Sequence, residues 1–202
     1  MLTTRRERLK HELRQEILAA ASEMFVREGY ASVTMRKIGQ RVRVAPGTIY
    51  HYFKDKDAIL ATICEETFAR LDKRMEALVN DHSGDPLERL RRGGRLYIQF
   101  GLDHPQHYFL KFAVAGTASG QESSMAAGLR TFENMRNCVR ACVEAGLTRS
   151  QDVEEISQSL WASIHGVVML LIGKPGFPFI EQSRLIDSVL DIGIEGIRKQ
   201  PA

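Results

Sequence analysis

Apolar residues recur along this chain at spacings of three and four, with polar and charged residues between them, which is the period of amphipathic α-helices. Alternating apolar and polar runs, the signature of half-buried strands, are few. The pattern therefore predicts an all-α fold of about nine helices. Their predicted ranges are 9–28, 35–42, 46–53, 55–79, 85–102, 104–114, 122–146, 152–173 and 183–199.

The segment 34–56, TMRKIGQRVRVAPGTIYHYFKDK, predicts two short helices joined by a tight turn. Thr34 is placed to cap the first helix, Pro46 fits the first turn of the second, and Asp55 is placed to cap the long helix that follows. The apolar positions that predict the buried faces are spaced four residues apart and are Ile38 with Val42 and Ile49 with Phe53.

Polar groups crowd onto the second of these helices: it carries Thr48, Tyr50, His51 and Tyr52 and is followed by Lys54 and Lys56. Hydroxyls, an imidazole and ammonium groups suit phosphate oxygens and base edges better than a hydrophobic core. The segment therefore predicts a helix-turn-helix that binds DNA.

The charge distribution agrees with that prediction. The net charge of the chain is +3, but residues 1–56 hold 12 Lys and Arg against 6 Asp and Glu, and the remainder holds 16 against 19. The first quarter is thus +6 and the rest −3. Positive charge is concentrated where contact with phosphate would release counterions.

Specific strings in the chain resemble the TetR family of transcriptional regulators. The similarity runs from about Gln15 to Glu66 and is most specific in PGTIYHYFKDKDAIL at 46–60. Leu160-Trp161 with His165-Gly166 resembles the WHG-type effector domain of some members. The resemblance implies a helix-turn-helix DNA-binding domain over 9–66, with its helix-turn-helix at 34–53. It also implies an effector-binding and dimerisation domain over 80–202, joined to the first by the long helix 55–79.

By this resemblance, Tyr50 and Tyr52 give hydroxyls to phosphates, and Thr48 and His51 lie closest to base edges. Lys56 would bring an ammonium group to the start of the next helix, where an anion is also favoured. The alternative is that the tyrosines pack against a neighbouring helix. Thr34 could contact phosphate as well as cap its helix.

Two positions depart from the family pattern, which usually has glycine where this chain has Arg43 and alanine where it has Gly39. A turn between helices often needs a positive φ, which glycine adopts most easily. Either the turn is different here, or Arg43 accepts strain because its guanidinium gains a phosphate. The alternative for the guanidinium is simple solvation. The basic leader Arg5, Arg6, Arg8 and Lys10 similarly predicts either minor-groove contact or a solvated tail.

Several side chains of the second domain suggest an effector cavity, which is usually apolar with a few polar groups. For each of them, ordinary core packing is the competing interpretation. Two of them, Phe132 and Met135, are predicted on the same face of helix 122–146 as Met125, Cys138 and Cys142. The candidate ligand-binding residues are His107, Tyr108, Phe112, Phe132, Met135, Trp161, His165 and Met169.

By the resemblance, the helices near 152–173 and 183–199 form a homodimer with a second chain, and Gly166, Gly193 and Gly196 allow close approach. A palindromic DNA operator and an unknown, largely apolar small-molecule effector are the other expected partners. No cofactor is expected, and His104, His107, His165 and the cysteines show no metal-ligand spacing. Cys138 and Cys142 fit core positions, with a redox pair as the alternative.

The N-terminal sequence has no apolar core of a signal peptide, so a cytoplasmic protein is expected. The most hydrophobic run, Trp161–Gly173, is short for a membrane span and contains His165. The favoured function is a ligand-responsive repressor in which an effector moves helix 55–79. The alternatives are a non-specific, nucleoid-like DNA-binding protein and a helical enzyme, for which the chain offers no nucleophile set or phosphate-binding glycine loop.

Overall fold

The computed structural model describes residues 4–114 and 121–200, and their side chains except those of 113, 114 and 121–127. The described residues contain nine α-helices and no strand, which confirms the all-α prediction. A single bridge joins Thr148 to Arg198. The helices are α1 Arg5–Glu28, α2 Met35–Arg41, α3 Pro46–Tyr50, α4 Lys56–Val79, α5 Pro86–Asp103, α6 Pro105–Phe109, α7 Gln121–Glu144, α8 Val153–Gly173 and α9 Gln182–Ile197.

Three helix ends differ from the predicted ones by three residues or more. α1 begins at Arg5 because Thr4 and Glu7 form a capping box, so the basic leader is the exposed start of a helix. α3 ends at Tyr50, and His51 and Tyr52 form the turn that follows. α6 ends at Phe109 and continues as a π-helical turn, Leu110–Val114.

The chain forms two compact units. The first takes in the chain up to Thr67 together with the segment from Gln106, and the second takes in Phe68–Pro105 and the segment from Ala126. The segment from Gln106, which the predicted boundaries place in the C-terminal domain, thus packs with the first unit. Its Leu110 belongs to the same buried cluster as α1–α4.

The core of the first unit forms from the residues that the helical spacing points inward. Ile17, Val33, Ile38, Ile49 and Ile59 are fully buried and bring α1, α2, α3 and α4 together. Burial of these large aliphatic side chains contributes about 1.5–3 kcal/mol each. This cluster fixes the angular position of α2 and α3, and hence which of their side chains face outward.

The second unit is built on α5, α8 and α9, which pack against one another. Glycine makes the closest approaches possible, since a Cβ at Gly94 would lie 2.7 Å from Leu190 Cδ2 and one at Gly193 would lie 2.9 Å from Leu160 Cδ2. Gly166 and Gly196 have no such neighbour within 4 Å in the protomer. Of the three glycines predicted to allow close approach, only Gly193 does so within one chain.

α8 is longer than the apolar run seen in the sequence. Its 21 residues are sufficient in length and apolarity to cross a membrane, and it is the one such helix among the described residues. A buried helix of a water-soluble protein meets the same criterion, so this is weak evidence for a span. Only 33% of the 18-residue apolar stretch of α8 is buried within the chain, so much of this apolar helix is uncovered.

Candidate DNA-binding surface and candidate effector site

α2 and α3 carry the candidate DNA-binding surface, and local signals in the sequence explain why both helices form. Thr34 caps α2 as predicted, since its Oγ1 accepts a hydrogen bond from the backbone N–H of Lys37 at 3.2 Å. Pro46 stands in the first turn of α3, where its missing N–H costs nothing. Ile38 and Ile49 are fully buried and orient the two helices.

The polar side chains predicted to contact DNA differ in their exposure. Tyr50 is 57% exposed and His51 is also exposed, so both are accessible to another molecule. Thr48 is half-buried, and Tyr52 packs partly against the core of the first unit. The alternative interpretation, in which the tyrosines pack within the protein, therefore holds in part for Tyr52, whereas Tyr50 faces solvent.

Two of the cationic side chains on α2 form ion pairs within the protein. Lys37 Nζ lies 3.0 Å from Glu28 Oε2, and Arg41 Nη2 lies 2.8 Å from Glu23 Oε2. Side-chain hydrogen bonds from Arg41 and Arg27 hold the pKa of Glu23 below its usual value. Glu23 is therefore ionised at neutral pH and remains a partner for Arg41.

Other cations near the turn are directed to solvent instead. Arg36, Arg43 and Lys54 are exposed, and none forms an ion pair or side-chain hydrogen bond with any residue in the described part of the chain. Phosphate oxygens would meet these three groups without first breaking a bond within the protein. The three cations and the exposed Tyr50 and His51 together form what we call the candidate DNA-binding surface.

Lys56 has a structural role that the sequence did not indicate. Its Nζ donates hydrogen bonds to the backbone carbonyl oxygens of Tyr30 at 3.0 Å and Val33 at 3.2 Å. The ammonium also lies 4.3 Å from the centre of the Tyr30 ring. Lys56 thus ties the start of α4 to the connection between α1 and α2. One of its three N–H groups is left for the predicted phosphate contact.

The backbone at Arg43 decides between the two turns considered from the sequence. Its φ is +58°, and it is the one non-glycine residue with positive φ in the described ranges 4–114 and 121–200. The turn thus keeps the conformation for which the family usually has glycine. Gly39 is tightly placed as well, since a Cβ there would lie 3.1 Å from the carbonyl oxygen of Val44.

Three of the predicted ligand-binding residues come together in the second unit. The Trp161 and His165 rings stack with centres 5.2 Å apart, and the Phe132 ring meets Trp161 edge-on at 6.0 Å. Tyr97 Oη accepts a hydrogen bond from Trp161 Nε1 at 3.3 Å and lies 3.3 Å from His165 Nδ1. We call these four residues the aromatic cluster.

The aromatic cluster combines an apolar surface with polar atoms that carry no charge at neutral pH. Burial lowers the pKa of His165, so its imidazole is neutral there. Sequence reasoning missed Tyr97, although its spacing of seven from the buried Leu90 places both on one face of α5. The sequence does not show which side chains Tyr97 meets.

The other predicted ligand-binding residues lie elsewhere. His107, Tyr108 and Phe112 belong to the first unit, where Tyr108 is fully buried and its ring lies 4.7 Å from that of Phe112. His107 Nε2 lies 2.6 Å from the hydroxyl oxygen of Ser22 on α1. The burial of Tyr108 and the contact of His107 with α1 agree with the core-packing interpretation of these two residues.

Two methionines of the predicted set belong to the second unit. Met135 is buried at an apolar depression that is also lined by Leu160 and Ile164, and Met169 is half-buried on α8. Met125, which was expected on the same helix face as Met135, lies outside the residues whose side chains are described.

The three cysteines are buried and unbridged. Burial raises the pKa of Cys64 to about 11 and that of Cys142 to about 12, and it also raises the pKa of Cys138. Protonated, buried thiols are poor nucleophiles. No group of three or more His, Cys, Asp and Glu side chains in the described ranges is arranged to hold a metal ion.

Two family models match the chain, and their ranges follow the two parts of the sequence discussed above. The model described as bacterial regulatory proteins of the tetR family matches residues 17–63. The model described as the tetracyclin repressor-like C-terminal domain matches residues 90–193, which is more than half of the chain. The chain belongs to the TetR family of transcriptional regulators.

Characterised TetR-type regulators are similar to parts of this chain. The transcriptional repressor KstR of Rhodococcus jostii (strain RHA1) is 36% identical over 80 residues, which is 40% of this chain and 36% of KstR. The regulator HbdR of Aromatoleum sp. (strain CIB) is 24% identical over 152 residues, which is 74% of this chain and 58% of HbdR. The chain thus spans less than two thirds of either relative, and both are regulators rather than enzymes.

Solved structures of TetR-type regulators share the fold over nearly the whole chain. The fatty acid degradation regulator FadR of Bacillus halodurans superposes with a TM-score of 0.76 at 17% identity, covering 93% of this chain and 97% of FadR. FadR of Bacillus subtilis, solved in complex with stearoyl-CoA, has a TM-score of 0.76 at 20% identity and covers 91% and 99%. At these identities the likeness establishes the fold alone.

Proposed function

We propose that this TetR-family regulator is a ligand-responsive repressor that binds a palindromic operator as a homodimer. The observation that carries the proposal is the candidate DNA-binding surface, where Tyr50 and His51 are exposed beside three cations that have no side-chain partner among the described residues. Thr34, Thr48 and Lys56 complete the proposed contacts, and Tyr52 adds a hydroxyl from a partly packed ring. We place DNA binding in 9–66 and effector binding and dimerisation in 80–202.

Uncovered apolar surface on the last two helices supports dimerisation. Leu170 on α8 is 51% exposed and Ile192 on α9 is 72% exposed. Large aliphatic side chains at this exposure are stabilised by burial against a second copy. A dimer also suits a short recognition helix, because two half-sites about one helical turn apart multiply affinity and specificity.

The dimer is tested by Ile192→Glu, which would bury a carboxylate in the interface. We expect sedimentation equilibrium to show monomers at concentrations where the unaltered chain is dimeric. Leu9→Glu is the matched control, since Leu9 is 53% exposed on α1 and the same charge is added to the first unit instead of the second. If Ile192→Glu remained as dimeric as Leu9→Glu, the proposed interface would be wrong.

The aromatic cluster supports an effector whose part bound there is largely apolar and carries an uncharged polar group. Tyr97 and His165 present hydrogen-bonding atoms beside the Trp161 and Phe132 rings, so a carbonyl or hydroxyl group could bind there. Because the related FadR of Bacillus subtilis was solved with stearoyl-CoA, acyl-CoA thioesters are the first class to test. A bound thioester that lowers operator affinity must itself bind the operator complex more weakly, by reciprocity.

The function is tested by selecting bound sequences from a random duplex pool with purified protein at physiological salt. An operator reader should enrich a palindrome and prefer it to random duplex by roughly 10³ or more. Uniform recovery would instead favour the non-specific, nucleoid-like alternative. Acyl-CoA thioesters of increasing chain length are then titrated into the operator complex. A thioester that binds tightly but leaves operator affinity unchanged would contradict this effector class.

A further inference from the structure

The turn between α2 and α3 has a hydrogen-bond pattern that calls for a left-handed residue at position 43. The backbone N–H of Val44 donates to the carbonyl oxygen of Gly39 at 2.9 Å, and that of Arg43 donates to Gln40 at 3.3 Å. With Val42 as the C-cap, these are the two bonds of a Schellman motif. The residue after the cap in this motif is usually glycine, because it needs a positive φ.

Arg43 occupies that position with a φ of +58°. The Cβ of any residue other than glycine crowds the following carbonyl group in this conformation, so the native turn carries strain. Glycine would make the same two backbone bonds without it. The strain is therefore a property of the arginine side chain, and the turn itself does not require it.

Nothing that the arginine contacts in the described part of the chain offsets this strain. The guanidinium is exposed and forms neither an ion pair nor a side-chain hydrogen bond there. Arg41, two residues earlier, is instead bound to Glu23. An interaction of Arg43 with another molecule would offset the strain, and its position within the helix-turn-helix points to DNA as that molecule.

We propose that Arg43 binds a phosphate of the operator backbone and that this contact is gained at the expense of fold stability. A guanidinium is suited to this role, since it is always charged and presents paired N–H groups to phosphate oxygens. The inference rests on the proposed DNA-binding function and gives Arg43, one of the three cations of the candidate DNA-binding surface, a contact that carries affinity without reading sequence.

Three substitutions separate the strain from the charge. Arg43→Gly removes both, Arg43→Gln removes the charge and keeps the strain, and Arg43→Lys keeps both. We expect Arg43→Gly to raise Tm by about 2–4 °C, whereas the other two leave Tm near that of the unaltered chain. Arg43→Gly and Arg43→Gln should each reduce the slope of log affinity against log salt by about 2 per dimer, because each removes two phosphate contacts. Arg43→Lys should leave the slope unchanged.

Arg41→Gln is the control for removal of a nearby charge, because Arg41 is already paired with Glu23. It should change the slope by less than Arg43→Gln does. A higher Tm for Arg43→Gly with an unchanged slope would show a strained turn without DNA contact and would overturn the proposal. A lower Tm for Arg43→Gly would overturn the strain argument.

These outcomes are separable from failure of the proposed operator function. The slope is measured equally well on random duplex, since phosphate contact does not depend on sequence. If the pool selection enriched no operator, the repressor proposal would fail, while a reduced slope for Arg43→Gln on random duplex would still support the phosphate contact. Conversely, a chain that enriches an operator but keeps the same slope after Arg43→Gln would support the repressor proposal and overturn the phosphate contact.

Discussion

Replacing Lys56 with methionine should destabilise the first unit, because it removes the tie between α4 and the connection from α1 to α2. Two hydrogen bonds from the ammonium to the Tyr30 and Val33 carbonyl oxygens are lost, at 3.0 and 3.2 Å. A bond to a charged group contributes about 1.5–3 kcal/mol, and the half-buried site places each at the lower end. The lost contact with the Tyr30 ring adds about 0.5 kcal/mol.

Partial solvation of the two carbonyl groups in the variant offsets some of this loss, so we expect the free energy of unfolding to fall by about 2–3 kcal/mol. Hydrogen exchange of backbone amides is the suitable assay, because it reports each unit separately. The amides of Ile38 and Ile49 should exchange faster by roughly 30- to 150-fold. Those of Ile164 and Ile194, in the second unit, should change little.

Lys54→Met is the matched control, since it removes the same charge two residues away from a side chain that is exposed and has no described partner. It should alter the stability of the first unit by less than about 0.5 kcal/mol. Equal loss of protection in the two variants would refute the positioning role of Lys56. The remaining N–H of Lys56 predicts in addition that Lys56→Met flattens the salt slope of DNA binding by about 1–2 per dimer.

Two further predictions concern buried groups. Asp72 is 7% exposed and accepts a hydrogen bond from the Thr131 hydroxyl at 2.5 Å. Asp72→Ala should lower the free energy of unfolding by about 2 kcal/mol and lower Tm by about 4–8 °C in a melting scan. A change in Tm of less than about 1 °C would contradict this role. Because burial raises the pKa values of Cys64, Cys138 and Cys142, iodoacetamide at pH 7.5 should label the folded chain far more slowly than the unfolded chain, as counted by mass spectrometry. Rapid labelling of Cys138 or Cys142 would restore the redox-pair alternative.

The helical architecture was largely predictable, because it depends on local signals. Thr34 and Asp55 cap the helices they were expected to cap, and Gly29 ends α1 with a positive φ. The start of α1 was placed four residues late, because the capping box of Thr4 and Glu7 lies among charged residues without apolar periodicity. Periodicity locates buried faces, whereas caps decide where a helix starts.

The candidate sites were less predictable, because they depend on contacts between distant residues. Lys56 was assigned to phosphate from its position, but the carbonyl groups it binds belong to residues 26 and 23 positions away. Likewise, Tyr97 meets Trp161 and His165 across 64 and 68 residues. The spacing of apolar residues along one helix does not specify which side chain of another helix it meets.

The pairing of Lys37 and Arg41 with glutamates has a consequence for how the regulator would search a genome. Cations held within the protein release fewer counterions on random duplex, so affinity for the vast excess of competing sites is lowered. The same two phosphate contacts would be missing at the operator, so the preference for the operator over random duplex is unchanged and must come from contacts with the bases. The pairing would therefore let the regulator leave wrong sites sooner without making it more selective.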